Sequence, residues 1–201
     1  VQGGSAQEPD FDIAVRHASL RYGGAFLFWD LDFVLPGGFW TCLLGPSGVG
    51  KSSLLRVIAG LAPLDAGEVV CTDGRPLAGR LAWMSQRDDL LPWLSVLDNV
   101  TLGARLRGER ADHGRAMDLL ARVGLAAKAD QLPATLSGGQ RQRAALARTL
   151  MEDCPVVLMD EPFSALDAIT RARLQVLAAD LLAGRTVFLV THDPLEALRL
   201  A

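Results

Sequence analysis

The sequence predicts an α/β fold that carries an inserted helical segment, and three observations support this. A glycine-rich loop, GPSGVGKSS at residues 45–53, joins the apolar run FWTCLL to the helical run LLRVIAGL. Two more apolar runs, PVVLMD and TVFLV, each precede a helical pattern. Residues 87–151 show mainly helical spacing. Strands that alternate with helices are typical of α/β sheets.

The expected organisation is one domain over residues 10–201 behind a flexible tail of residues 1–9. Residues 10–86 and 152–201 form a mixed-sheet core, and residues 87–151 form a helical subdomain. The runs FDIAV and DLDFVL, separated by YGG and PGG turns, predict an antiparallel β part near the N-terminus. Three residues of DLDFVL are expected on one face of their strand: Leu31, Phe33 and Leu35.

Helix signals in the inserted segment are local. Ser95 is the expected start of a helix that carries Val96 and Val100. A second helix runs through GRAMDLLARV and ends near Gly124. Its expected buried face consists of Met117, Leu120 and Ala121.

A later helix, beyond the inserted segment, should bury Leu174, Leu177 and Leu181 along one side.

Composition narrows the function class. The 201 residues are 50% hydrophobic and carry a formal charge of −3, so no general basic surface for nucleic acid is expected. No apolar run reaches the roughly 20 residues that a membrane span needs. The start of the chain lacks the features of a signal peptide. The cysteines Cys42, Cys71 and Cys154 lack metal-ligand spacing, which indicates buried thiols in a reducing compartment.

The loop fits the pattern G-x-x-x-x-G-K-[ST] through Gly45, Gly50, Lys51 and Ser52. Gly45, Gly48 and Gly50 are expected to adopt backbone conformations that a side chain would block, so that amides approach phosphate oxygens. Lys51 suits the β- and γ-phosphates, and the hydroxyl of Ser52 suits Mg²⁺. The plain alternative is a glycine-rich turn that happens to carry a lysine. The loop alone indicates a nucleotide binder, whether kinase, GTPase or motor ATPase.

Polar residues follow the apolar strands. Asp160 ends PVVLMD and is expected to hold Mg²⁺, while Glu161 orients or deprotonates water. Gln86 and His192 each follow a strand, and Tyr22 in RYGG is placed to stack on a flat ring. The alternatives are a solvated carboxylate pair, a solvated glutamine, a structural histidine and a tyrosine packed at a strand end.

A second anion site is expected at LSGGQ. Ser137 is a natural N-cap, and Gly138 and Gly139 leave space before the helix that follows. The alternative is an ordinary capped helix with a basic solvated face at Arg141 and Arg143.

Taken in order, RYGG, GPSGVGKS, Gln86, LSGGQ, VVLMDE, SALD and His192 resemble the ATP-binding cassette (ABC) ATPases over nearly the whole chain. LSGGQ shortly before the VVLMDE strand is specific to that family. The resemblance implies a P-loop NTPase fold, ATP and Mg²⁺ as ligands, and a loop that cradles the phosphates. The loop residues are Gly45, Pro46, Ser47, Gly48, Val49, Gly50, Lys51, Ser52 and Ser53.

The resemblance also implies individual roles. Tyr22 stacks on adenine, and the residues around Mg²⁺ are Ser52, Gln86 and Asp160. Glu161 is the catalytic base, His192 contacts the γ-phosphate and positions the water, and Lys51 completes the catalytic set.

A second ATP-binding subunit, as a homodimer, is implied as well. The residues expected to cap the γ-phosphate of ATP held by that subunit are Ser137, Gly138, Gly139 and Gln140. Asp167 in SALD is expected at the dimer interface. The other implied partners are a transmembrane permease and, indirectly, a solute-binding protein, with no nucleic acid. The implied location is the cytoplasmic face of the inner membrane.

The stretch around Gln86 resembles importer cassettes that serve taurine, alkanesulfonates, nitrate or pyrimidine-type thiamin precursors. In these importers the segment after the glutamine receives a permease helix, and Leu90, Leu91, Pro92 and Trp93 are expected to form that docking surface. The alternative is that they pack inside the helical segment. Such cassettes usually continue past the histidine strand, so an end at Ala201 indicates a truncated or short version.

Two other function classes compete. A soluble ABC ATPase that acts on nucleic acid or ribosomes usually carries a coiled-coil insertion or two cassettes, and neither fits 201 residues. A small-molecule kinase leaves LSGGQ, SALD and His192 without a role.

Overall fold

The computed structural model describes Pro9, residues 11–46 and residues 48–201. The tail expected over residues 1–9 therefore lies outside the described residues except for Pro9, as does Ser47. The strands are β1 (Ile13–Tyr22), β2 (Ala25–Leu35), β3 (Trp40–Leu44), β4 (Ala66–Cys71), β5 (Leu81–Met84), β6 (Val156–Asp160) and β7 (Thr186–Thr191). The α-helices are α1 (Lys51–Ile58), α2 (Val96–Val100), α3 (Leu102–Leu106), α4 (His113–Arg122), α5 (Gly138–Met151), α6 (Ala168–Leu181) and α7 (Pro194–Leu200).

The chain divides into two compact units. The first holds the described residues up to Trp83 together with Cys154–Asp160 and Ala183–Ala201. The second holds Met84–Asp153 and Glu161–Leu182. The expected helical subdomain had its limits at residues 87 and 151, and the second unit contains α6 in addition.

The first unit contains two sheets. One is three-stranded with the order β2-β1-β4 and antiparallel pairing, as expected for the N-terminal part. The other has the order β3-β7-β6-β5, in which β7 pairs in parallel with both β3 and β6. The antiparallel pairs of β1 and the parallel pairs of β7 thus lie in separate sheets. Every residue of β6 and β7 is buried, which is the usual state of parallel strands covered on both faces.

The core of this unit joins both sheets to α1. Its members are Phe11, Ile13, Val15, Ala18, Leu35, Leu54, Leu55, Ile58, Cys71, Val156, Leu158, Phe188 and Val190. Leu31 and Phe33 pack against it from the same face of β2 as Leu35, so the expected alternation is confirmed. Burial of a side chain such as Leu55 contributes about 1.5–3 kcal/mol.

The second unit is helical, and α5 packs against α2 and α4. Ser95 caps α2 by accepting a hydrogen bond from the Asp98 N–H at 3.0 Å, as expected. Gly124, with φ of 71°, follows the end of α4, also as expected.

The expected buried face of α4 was partly wrong. The buried residues are Ala116, Leu119 and Leu120, whereas Ala121 is exposed and Met117 only half-buried. In α6, Leu174 is buried, but Leu177 and Leu181 are half-buried. Among the described residues, no helix is long and apolar enough to span a bilayer.

Candidate functional site

The phosphate loop lies in the first unit, between β3 and α1. Gly48 and Gly50 have φ of 83° and 99°, values that glycine adopts at little cost. Gly45 has no positive φ, and a Cβ there would meet Val49 and Lys51 at ordinary distances of 3.5 and 3.6 Å. The expectation of a conformation that only glycine allows therefore holds for Gly48 and Gly50 but was wrong for Gly45.

Lys51 closes the loop on itself. Its Nζ donates to the carbonyl oxygens of Gly45 at 2.7 Å and Pro46 at 2.8 Å, and the residue is only 7% exposed. No side chain caps the N-terminus of α1, whose N-cap is Gly50. The first-turn N–H groups of α1 therefore remain available to bind an anion.

Register brings three site segments of the first unit to one edge of the parallel sheet. Leu44, which precedes the loop, pairs with Thr191, and Asp160 pairs with Val190. Asp160 is 4% exposed at the end of β6, and His192 is exposed directly after β7. Ligands of open α/β sheets bind outside the carboxyl ends of the strands, which is this edge.

Tyr22 ends β1 and is 78% exposed. The alternative of a tyrosine packed at a strand end is therefore excluded. Its free ring suits stacking on a flat ligand.

The second unit contains Glu161 and Gln86. Glu161 is 9% exposed, and its φ of 48° is rare for a residue with a Cβ. The Gln86 Nε2 donates to the Glu161 Oε2 at a long 3.4 Å, although Gln86 itself is exposed. Gln86 and Glu161 thus lie side by side in this unit. Two residues that act on the same water molecule need such an arrangement.

The LSGGQ segment begins α5 with a capping box. Ser137 Oγ accepts from the Gln140 N–H at 3.3 Å, and Gln140 Oε1 accepts from the Ser137 N–H at 2.9 Å. Ser137 and Gly138 are exposed. A Cβ on Gly139 would lie 3.3 Å from the Ala165 carbonyl oxygen, so a larger residue there would crowd SALD.

Asp167 has a structural role that the sequence reading missed. It caps α6 by accepting from the Thr170 N–H at 3.0 Å, and hydrogen bonds from the Thr170 N–H and hydroxyl hold the pKa of Asp167 below its usual value. The spacing Asp-x-x-Thr before an amphipathic run is a signal that could have found this cap.

The expected docking surface is only partly exposed. Pro92 is exposed and Trp93 is 70% exposed, but Leu90 is 8% exposed and Leu91 is half-buried. The expectation was wrong for Leu90. Asn99, itself fully buried, holds this segment by hydrogen bonds to the backbone of Leu91 and Leu94.

Two arginines of α5 hold the segment that follows Gln86. Arg141 Nε donates to Asp88 Oδ2 at 2.9 Å, and Arg148 donates to the carbonyl oxygens of Asp88 and Asp89. Burial lowers the pKa of Arg148. The alternative of a basic solvated face at Arg141 and Arg143 does not hold for Arg141, because its side chain ties α5 to the segment after Gln86. Spacing alone did not reveal this contact.

Comparison with known proteins decides the family. Residues 28–164 match the ABC transporter family. The chain belongs to the ABC transporter family. It is an ATPase of that family, and the fold and the activity expected from its sequence are confirmed.

Curated relatives cover most of this ABC protein. It is 50% identical over 183 residues to "Aliphatic sulfonates import ATP-binding protein SsuB 1" of Rhodococcus jostii, a match that covers 90% of this chain and 73% of the relative. It is 49% identical to "Taurine import ATP-binding protein TauB" of Pseudomonas aeruginosa over 86% of this chain and 68% of the relative.

Among solved structures, the dimeric structure of MJ0796, a bacterial ABC transporter cassette, superposes with a TM-score of 0.82 at 29% identity. That match covers 92% of this chain and 90% of the other. A post-hydrolysis state of the same cassette bound to ADP and Pi superposes with the same TM-score.

Proposed function

We propose that this chain energises the import of a small sulfonated solute, such as an alkanesulfonate or taurine, as one of two identical ATP-binding subunits beside a membrane permease. The observation that supports pairing is that two helices of one chain, α1 and α5, each begin at a glycine-rich segment. One follows the phosphate loop and carries Lys51, and the other follows Ser137 and carries no lysine. In a dimer, the helix after the phosphate loop of one copy and the helix after Ser137 of the other copy can contact the same ATP. ATP then joins the two copies.

Each site residue receives a proposed role in ATP hydrolysis. Tyr22 stacks on adenine, and Lys51 exchanges its two loop carbonyls for oxygens of the β- and γ-phosphates. Glu161 takes the proton of the attacking water, and His192 donates toward the γ-phosphate. Gln140 and its LSGGQ neighbours cap the γ-phosphate held by the second copy.

The residues assigned to Mg²⁺ fit its chemistry. Ser52 is half-buried in the first turn of α1, and Asp160 presents a nearly buried carboxylate at a strand end. Gln86 adds an amide oxygen, and oxygen ligands are the ones that Mg²⁺ prefers. When bound, the ion neutralises charge on the β- and γ-phosphates.

The permease contact is proposed at Pro92 and Trp93, because both are exposed in the segment after Gln86, where importer cassettes receive a permease helix. This role places the subunit on the inner face of the membrane, with a solute-binding protein as an indirect partner. The names of the relatives support a sulfonated solute over nitrate or a pyrimidine.

Hydrolysis as a function of protein concentration tests the pairing. Specific ATPase activity is expected to rise with concentration and to level off where sedimentation shows a dimer in the presence of ATP. Full specific activity in a solution that sedimentation shows to be monomeric would disprove the shared site. Co-purification from membranes identifies the permease. Trp93→Ala is expected to reduce the amount of permease that co-purifies, while the ATPase activity of the isolated subunit is unchanged.

A further inference from the structure

The second unit contains a cavity of about 480 Å³, which we call the arginine cavity. It lies between the end of α4, the body of α5 and the outer side of α6. The residues that matter here are Arg122, Val123, Arg143, Arg173, Leu174 and Leu177. None of them belongs to the ATP machinery described above.

The charges of the arginine cavity are not balanced. Arg122 forms an ion pair with Asp180 at 2.8 Å. Arg143 donates from Nη1 to the Val123 carbonyl oxygen at 2.9 Å but forms no ion pair within the described part of the chain. Arg173 likewise has no hydrogen bond or ion pair to any described residue. Since guanidinium groups stay charged, two positive charges face this space without a carboxylate of their own.

The buried Nε of Arg143 limits how this side chain can bind a ligand. That atom is inaccessible and has no hydrogen-bond partner among the described residues. A ligand in the cavity therefore meets Arg143 through its terminal Nη groups, one of which already donates to the Val123 carbonyl oxygen. The Val123 carbonyl oxygen holds the guanidinium, and Gly124 leaves room for it, since an added Cβ there would lie only 3.1 Å from Nη1.

One wall of the arginine cavity is apolar. Val123 and Leu174 are 2% and 4% exposed, and Leu177 is half-buried beside them. Sites for small molecules combine such walls with a few polar groups in cavities of roughly 300–1,000 Å³. The volume here falls within that range.

We propose that the arginine cavity binds a small organic anion that has an oxyanion head and a short alkyl chain. Arg143 and Arg173 hold the head, because a planar guanidinium donates two parallel hydrogen bonds to carboxylate, sulfonate or phosphate oxygens. The chain lies against Val123 and Leu177. The site is independent of the imported solute. Because Arg143 lies on α5, which begins at LSGGQ, the ligand contacts the helix that carries the second anion site.

Calorimetric titration of the full chain with pentanesulfonate tests the proposal. ADP is kept at saturation so that the phosphate loop is filled. We expect one site for pentanesulfonate. 1-Pentanol, which lacks the anionic head, and inorganic sulfate, which lacks the alkyl chain, should each bind at least about tenfold more weakly. Equal binding of sulfate, or no saturation by pentanesulfonate, would overturn the proposal.

Variants locate the binding. Arg173→Gln, on the exposed side of α6, is expected to weaken pentanesulfonate binding by about tenfold, and Arg143→Gln by more. Arg110→Gln makes the same charge change at an exposed position outside the arginine cavity and is expected to leave binding unchanged. If Arg143→Gln fails to fold, comparing the pentanesulfonate affinity of Arg173→Gln with that of Arg110→Gln still tests the site. Equal weakening by those two would show a general charge effect and refute the site.

Discussion

The Gln142 side chain connects α5 to the backbone of Glu161. Its Nε2 donates to the Glu161 carbonyl oxygen at 3.1 Å, and its Oε1 accepts from the Ala165 N–H at 3.0 Å. Gln142 is 5% exposed, and the Ser164 hydroxyl donates to the same Glu161 carbonyl at 3.0 Å. These bonds hold Glu161 at a φ of 48°, a conformation that costs about 1–3 kcal/mol when nothing supports it.

Gln142→Met should therefore lower kcat for ATP hydrolysis while KM for ATP stays nearly unchanged. The methionine fills the same space but cannot donate a hydrogen bond to the Glu161 carbonyl oxygen. The Glu161 carboxylate can then still accept a proton, but it is no longer held in place. Thr149→Val is the matched control, because it removes another buried side-chain hydrogen bond of α5, to the Ala145 carbonyl oxygen at 3.1 Å. An equal loss of kcat in both variants would indicate general destabilisation of α5.

Glu161→Gln should bind ATP like the wild type and lose turnover by at least about a hundredfold, the usual worth of a general base. Glutamine preserves the shape and the contact with Gln86 but cannot accept a proton. ATP should then hold the two copies together, which sedimentation detects as a dimer that ADP does not produce. Wild-type turnover in this variant would remove Glu161 from the reaction.

Lys51→Ala should weaken ATP binding by at least about tenfold in a nucleotide titration. The substitution removes the charge offered to the phosphates, and it also releases the Gly45 and Pro46 carbonyls that Lys51 holds. Arg56→Ala, at an exposed position of the same helix, is the control and should bind ATP normally. Unchanged affinity in Lys51→Ala would contradict the phosphate-loop assignment.

Local signals account for what the sequence predicted correctly. Gly48, Gly50, Ser95 and Gly124 act within one turn of their own position, so spacing alone finds them. The apolar runs of β6 and β7 are buried on both faces and read as strands without any knowledge of their neighbours.

The local conformation of Gly45 and the local cap at Asp167 are exceptions, but the other wrong or missing predictions depend on distant parts of the chain. The buried face of α4 is set by its packing against α5 and α2, so helical spacing alone predicted Ala121 where the fold buries Leu119. Leu90 is buried in a segment whose next residue, Leu91, is held by Asn99 from eight residues further along the chain. The bonds of Gln142 join residues 19 and 23 positions apart, and no local pattern marks them.

Cys42 should react slowly with iodoacetamide at pH 8.5. Burial, and then the nearby charge of Glu196, raise the pKa of its thiol from 9.0 to about 11, so little thiolate forms. The pKa of Cys42 is higher in the folded chain than in the unfolded chain. The contribution of this thiol to the free energy of unfolding is therefore complete below pH 9 and is lost as the pH rises toward 11. Labelling of a variant in which Cys71 and Cys154 are serine isolates this thiol. Rapid labelling of this variant in its folded state at pH 8.5 would contradict the shift.

Ser137→Arg should abolish ATP hydrolysis while ATP still binds at the phosphate loop, because the long side chain blocks the anion site at the start of α5. The same change also removes the N-cap of α5, so Ser137→Ala separates the two effects. Alanine loses the cap, which costs about 1 kcal/mol and lowers the Tm by about 2–4 °C. It adds no bulk, so turnover should fall less than in Ser137→Arg, although the hydroxyl offered to the γ-phosphate is lost. Equal loss of turnover in both variants would assign the effect to the cap, and normal turnover in Ser137→Arg would disprove the role of LSGGQ at the partner's ATP.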